Sequence, residues 1–240
     1  MADKKVARKE TAFIVRAVIW TLLLLAPIPS TGLKIAQSQG LQELIRNISE
    51  KQSRIETLTA IFSQRRETAL VQEPLLSSGI VKFKRPSRVF FAYTEPTPME
   101  ISLDGKRVNI YDPARSQAER YTLSPVSRVG FYLQSVTRIF QQTLEQLTAD
   151  YSIRPLPPDR ADCYRFRLHP RKEAMEEVVK EVELRIDKAS GAILTFDWIE
   201  PSQERLILEF QKLQINPPLT DQDLKINLPP SGQIEEKSLP

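Results

Sequence analysis

His169 is the chain's only histidine and Cys163 its only cysteine, so neither a histidine cluster nor a Cys/His zinc site can be assembled from this sequence. Nucleophilic catalysis of the Ser/His/Asp kind has to use His169, which stands directly before Pro170, and no Gly-x-Ser-x-Gly segment supplies an exposed nucleophile. Seven glycines form neither a Gly-x-Gly-x-x-Gly turn nor a phosphate-binding loop. Carboxylates are plentiful at Glu173, Glu176, Glu177, Glu181 and Glu183, but they alternate with Arg171, Lys172 and Lys180, the pattern of a solvated loop and strand edge rather than of an acid/base pair. The expectation is a binding protein with no catalytic residues, no metal and no cofactor.

Binding therefore has to come from shape and apolar surface, and the apolar residues are spaced to provide it. Positions of one parity recur along successive short segments: Phe62; Val81 and Phe83; Phe91 and Tyr93; Ile101 and Leu103; Val108 and Ile110; Phe166 and Leu168; Leu184 and Ile186; Leu208 and Phe210. A period of two places each set on one face of a strand. Together they can line an apolar cavity, and the same alternation also describes an ordinary packed core.

The elements that position them follow from the same periods. Leu41, Leu44, Ile45 and Ile48 fall at helical spacing and predict an amphipathic N-terminal helix. Strands are expected at Leu58–Thr68, Ser77–Lys84, Arg88–Thr94, Glu100–Leu103, Arg107–Tyr111 and Glu119–Leu123. Asp104-Gly105 marks one hairpin, because the turn needs positive φ angles that these residues tolerate. Between Arg128 and Leu147 the residues Val129, Tyr132, Leu133, Val136, Ile139 and Phe140 return to helical spacing. Strands resume at Tyr151–Leu156, Tyr164–Leu168, Val178–Asp187, Ala192–Ile199 and Arg205–Gln214, with Ser190-Gly191 closing a hairpin and a short strand expected near Leu224–Leu228. This is a mainly β (α+β) fold: about eleven antiparallel strands in a curved, half-open barrel, with an N-terminal helix and a helical lid over an enclosed apolar space.

The first residues carry a different message. Lys4, Lys5, Arg8, Lys9 and Arg16 precede the apolar run Ala17–Ala26, which breaks at Pro27 and Pro29, too short for a membrane span of roughly 20 residues. Residues 1–36 are expected to be an export signal cleaved after Gly32 or Ala36, leaving 37–240 as a single domain. Five of the 34 basic and two of the 30 acidic residues lie in 1–32, leaving 29 against 28, so no basic stripe calls for nucleic acid. With no cysteine near the cleavage region, the mature N terminus is expected to be unacylated and the protein to be a soluble monomer.

Several segments carry a family resemblance: Phe62-Ser63-Gln64-Arg65, Ser78-Gly79-Ile80-Val81-Lys82-Phe83-Lys84-Arg85-Pro86-Ser87-Arg88 and Phe91-Ala92-Tyr93-Thr94-Glu95-Pro96. Asp104-Gly105 with Val108-Asn109-Ile110-Tyr111-Asp112-Pro113 continues the pattern, as do Val182-Glu183-Leu184-Arg185-Ile186-Asp187 and Ser190-Gly191. In order and spacing these resemble the LolA family of periplasmic lipoprotein carriers over roughly Leu41–Pro230. The resemblance implies a half-open barrel in the periplasm whose interior holds the acyl chains of lipoproteins travelling from the inner to the outer membrane. It implies as partners the inner-membrane lipoprotein-releasing transporter and the outer-membrane acceptor lipoprotein. It also implies that Arg85 locks the lid in the empty state; without the family, Arg85 reads as an exposed strand-end arginine before a turn proline. Two other uses of such a fold are a periplasmic adaptor that senses lipid or lipoprotein, and a carrier of other lipids. Val89 and Phe91 stand where larger aromatics are usual in the family, and Arg128–Leu147 is a divergent lid.

Overall fold

The computed structural model describes residues 31–123, 137–228 and 234–237. The expected export segment lies outside the described residues up to position 30, as does the stretch 124–136 of the helical insertion. Contacts gather Leu44–Pro240 into one compact unit, and it is this unit that carries the sheet.

Helix α1 runs over Thr31–Ser53. Within Leu44–Ser53 it buries Ile45, Ile48, Ser49 and Gln52, the stripe expected from the sequence extended by two polar residues one turn further on. Two single helical turns follow later in the chain, α2 (Leu144–Leu147) in the insertion and α3 (Glu173–Glu176) before the ninth strand. The strands are β1 (Thr57–Glu67), β2 (Leu75–Lys84), β3 (Arg88–Glu95), β4 (Met99–Leu103), β5 (Arg107–Asp112), β6 (Gln117–Thr122), β7 (Tyr151–Leu156), β8 (Cys163–Pro170), β9 (Glu181–Asp187), β10 (Ile193–Ile199), β11 (Arg205–Ile215) and β12 (Ile234–Lys237). They form one open, curved sheet in the order β12-β6-β5-β4-β3-β2-β1-β11-β10-β9-β8-β7. Every pairing is antiparallel except that of β12 with β6. Consecutive hairpins build each half, and β1 against β11 is the long-range pairing that joins the halves.

Local chemistry fixes the turns. Asp104 Oδ1 accepts from the amides of Lys106 and Arg107, and Gly105 takes φ +86°. At the β9–β10 turn Gly191 has φ +78°, and a Cβ there would meet Lys51 of α1 at 2.9 Å, so glycine lets the helix settle onto this hairpin.

Register assigns the two faces. Directly opposed residues share a face, and the pairs Phe62–Phe210, Val81–Phe91, Phe91–Ile101, Val89–Leu103, Leu208–Phe196, Leu184–Phe166 and Val182–Leu168 run across the inner face. The outer face of β8–β11 is charged, with Arg165 and Arg167 on Glu183, Arg185 on Asp159 and Arg205 on Asp197. Glu183, expected on a solvated edge, is thus in an ion-pair ladder. His169 is partly exposed at the end of β8, with Nδ1 3.9 Å from Glu181, and Cys163 is fully buried.

Two segments differ from the sequence expectation. Strand β9 begins at Glu181 rather than Val178, because the turn of α3 and the residues after it bury Met175, Val178 and Val179 against the sheet. The segment Leu224–Leu228 is not a strand: a 3-10 turn at Gln222–Leu224 leads into extended chain, and the terminal strand is β12. The alternation of Leu224 and Ile226 serves packing instead. They form a second cluster with Phe90, Tyr111 and Ala118 on the outer face of β3–β6. Polar contacts fasten this strap, with Lys84 and Arg88 on Asp221 and Glu100 accepting from Asn227. Those contacts hold the Asp221 carboxyl below its usual range, the hydrogen bond from Lys84 contributing most.

Candidate functional site

Between the C-terminal end of α1, the insertion and the inner face of the sheet lies an open-mouthed, largely apolar cavity. Strands β1–β3 contribute Leu58, Val81, Phe83, Val89 and Phe91; β11 contributes Phe210; the β9–β10 hairpin contributes Gly191, Ala192 and Ile193. The helical stretch 137–141 lays Ile139 and Phe140 across it, and Gln52, Ile55, Arg85 and Gln142 complete the wall.

Of the residues nominated from sequence, Val81, Phe83, Phe91 and Phe210 line this space together with Arg85. Phe62, Phe166, Leu168, Leu184, Ile186 and Leu208 share the inner face but are packed as core, each less than 5% exposed. Tyr93, Ile101, Leu103, Val108 and Ile110 lie on the same face outside the lining. Leu58 and Val89 were legible from the same parity, whereas Ile193 reaches the inner face only through a register shift between it and Thr195. Phe140 was visible only as a member of a helical stripe, and nothing in the sequence singled out Gln52, Ile55 or Gln142.

Aromatic rings set the shape. Phe140 is wedged against Phe196 and Phe210, with ring centroids 5.2 and 5.8 Å away. Phe62 meets Phe91 and Tyr93 edge to face at 5.3 and 5.0 Å, contacts that contribute beyond simple burial. Gly79 lies opposite both Phe62 and Tyr93 beside a register shift in β2, and a Cβ there would fall 2.0 Å from the Ala92 carbonyl oxygen. Only glycine allows the backbone to come this close. Tyr93 donates its hydroxyl to Gln64 Oε1 at 2.9 Å, and burial pushes its pKa up to about 12.

Arg85, at the β2–β3 turn, donates to three backbone carbonyls: Nε to Ile55 at 2.7 Å, Nη2 to Gln52 at 2.7 Å and Nη1 to Gln141 at 3.2 Å. The Gln52 carbonyl lies in the last turn of α1, where a cation is favoured by the helix dipole, and Ile55 follows two residues beyond the helix. The third is on the insertion. A guanidinium suits this task because its donors point outward in one rigid plane. Further bonds tie the same pieces together: Gln52 Oε1 accepts from the Leu144 amide at 2.7 Å, Ser49 Oγ from the Glu145 amide at 2.8 Å, and Gln141 Nε2 donates to the Ser87 carbonyl at 3.3 Å. Thr143 and Gln146 form a reciprocal capping box that starts α2.

Such a site can shelter an apolar chain, and Arg85, Gln52 and Gln141 hydrogen-bond the segments around it to one another. Among the described residues no group of three or more His, Cys, Asp or Glu side chains is placed to hold a metal.

Comparison with known proteins points the same way. The family model described as outer membrane lipoprotein carrier protein LolA matches residues 53–227. An outer-membrane lipoprotein carrier protein of Albidiferax ferrireducens is 24% identical over 156 residues, covering 65% of this chain and 71% of the relative. One of Histophilus somni (strain 2336) is 22% identical over 197 residues, covering 80% and 87%. Among solved structures, an uncharacterized conserved protein from Thermus thermophilus superposes with a TM-score of 0.52 at 12% identity, covering 82% of this chain and 99% of that one, a likeness of fold.

Proposed function

This chain belongs to the LolA family of outer membrane lipoprotein carrier proteins, and from that premise we propose that it is a periplasmic carrier which holds the acyl chains of lipoproteins in the cavity beneath its insertion. The observation that supports this most directly is the apolar cavity closed by segments that Arg85 ties to the sheet. Moving an acyl chain through water exposes apolar surface at a cost of roughly 0.8 kcal/mol per methylene, so two or three long chains cost on the order of tens of kcal/mol. An apolar wall offsets that cost.

In this reading the described state is the empty one. Phe140 occupies the inner face where cargo would lie, and loading displaces it together with the segment carrying Gln141. The other inner-face aromatics then become available to a second chain. Cargo arrives from an inner-membrane lipoprotein-releasing transporter and leaves to an outer-membrane acceptor lipoprotein. The protein is a carrier and not an enzyme, and Arg85 is its lid lock.

The test is mass spectrometry of lipids and lipoproteins that co-purify with the mature protein from periplasm. Acylated lipoproteins on the wild type, enriched on Arg85→Leu, support the carrier reading. Free lipids alone replace it with a lipid carrier, and an empty cavity in both proteins replaces it with a sensing adaptor.

A further inference from the structure

Among the described residues seven large hydrophobic side chains stand exposed, and six of them, Ile61, Leu70, Val71, Leu75, Leu76 and Ile80, belong to the one hairpin formed by β1 and β2. Leu70 is 88% and Leu76 65% exposed. Apolar residues exposed singly are ordinary on a protein surface, whereas their concentration on one element marks a contact. The hairpin also outruns the sheet on one side: β2 pairs with β3 only from Ser78 onward, so Leu75, Leu76 and the loop 68–74 project past that neighbour.

Register decides which way these side chains go. Leu75 opposes Arg66 and Leu76 opposes Arg65, so two adjacent leucines stand on opposite faces of the hairpin. Both are exposed, and so are Leu70 and Val71 in the connecting loop. A protein partner that packs on a sheet covers one face; apolar side chains on both faces and on the loop between them call for a medium that surrounds the tip. Composition and charge agree. Residues 68–76 contain no arginine and no aromatic side chain, the types that anchor protein–protein contacts, in which Leu and Val are under-represented. The charges beside the tip are held by one another: Arg65 by Glu67 at 2.9 Å and Arg66 by Glu204 at 3.4 Å, while Thr68 donates to Glu204 at 3.2 Å. The tip therefore offers aliphatic surface without surplus positive charge, which suits a zwitterionic phospholipid interface.

We propose that the β1–β2 hairpin tip is a lipid-surface contact. Leu70, Val71, Leu75 and Leu76 enter the boundary between head groups and acyl chains, and the ion-paired Arg65 and Arg66 stay at the head-group level. The inference goes beyond the carrier reading and does not rest on it. The cavity is built from the other end of the same strands, at Leu58, Val81, Phe83 and Arg85, so the tip can be changed without touching the cavity.

The test is flotation of the mature protein with vesicles of phosphatidylcholine and phosphatidylethanolamine, with and without added phosphatidylglycerol. Wild type is expected to float with both, at a level that salt and the anionic lipid leave unchanged. Leu70→Ser is expected to weaken partitioning about tenfold and the Leu70→Ser/Leu76→Ser double variant about a hundredfold, since each removes a side chain that enters the apolar boundary. These residues are exposed, so both variants keep the wild-type urea midpoint, and both keep wild-type binding of a fluorescent fatty acid. Leu70→Trp supplies a direct reporter, whose emission shifts to the blue on adding vesicles. Wild type that does not float, flotation unchanged in the double variant, or a Leu70→Trp emission that vesicles leave in place each overturns the proposal. A wild-type dimer in sedimentation that Leu70→Ser dissociates assigns the tip to a second copy and overturns it as well. The carrier reading stands or falls separately, on whether the cavity binds acyl chains.

Discussion

Replacing Arg85 by leucine separates the two jobs its guanidinium can do, holding α1 to the sheet and holding the insertion shut. Hydrogen bonds from a charged donor contribute about 1.5–3 kcal/mol each when well formed. Two of the three are short, at 2.7 Å to Ile55 and Gln52, and end in the last turn of α1 and just beyond it. The third, to Gln141, is 3.2 Å and falls at or below the lower end of the range. Arg85 is half-buried, so water recovers part of each loss, and the empty protein is expected to lose about 2–4 kcal/mol in urea unfolding. Roughly 1 kcal/mol of that belongs to the bond with Gln141, the one that opening must break. Its removal lowers the cost of loading by the same amount, so acyl affinity rises about fivefold and release slows in proportion. Equilibrium binding of a fluorescent fatty acid and the rate of its transfer to acceptor vesicles measure both. Arg85→Lys should fall between wild type and Arg85→Leu, since one ammonium cannot meet three carbonyls in a planar fork. Lower stability with unchanged affinity and release refutes the lock and leaves Arg85 as a structural staple.

Phe140→Ala removes the ring wedged against Phe196 and Phe210; it is expected to cost about 3 kcal/mol in urea unfolding while raising uptake of an apolar dye. Gly79→Ala sets a methyl group against the Ala92 carbonyl oxygen, a backbone atom that cannot yield, and is expected to destabilise by about 2–3 kcal/mol or more, read as a lower urea midpoint. Tyr93 has a folded pKa raised to about 12 from 10.0. The buried neutral phenol therefore stabilises the fold fully below pH 10. Between pH 10 and 12 the unfolded chain ionises first and roughly 2 kcal/mol is lost. Ultraviolet titration should show a tyrosine ionising near 12, and Tyr93→Phe should reduce the fall in stability over that window.

The strands were legible because a two-residue period survives wherever one face of a strand is buried, as in β1, β2, β8, β9 and β11, whereas β3–β6 also bury residues of the other parity beneath the second cluster. Val178–Lys180 and Leu224–Leu228 were misread for a common reason: alternating or clustered apolar residues also arise where chain without ladder partners packs onto a sheet, as Val179, Leu224 and Ile226 do. The second cluster on the outer face was invisible because it depends on which segment returns to cover Phe90 and Tyr111, a long-range fact.

The chain's own order of residue types determined a mainly β sheet of successive hairpins, its inner and outer parities, a capping helix, and the lack of the residue sets that metal, nucleotide or triad chemistry requires. Those are local matters, settled by periodicity and composition. Which inner-face residues line open space and which are simply packed was decided by the tertiary structure: Phe83 and Phe166 have the same parity and kind, yet one faces the cavity and the other is sealed in core. The partners of Arg85, 30 to 56 residues away in sequence, were decided there too, because hydrogen bonding depends on which carbonyls and amides folding brings within about 3 Å, and no period in the sequence records that.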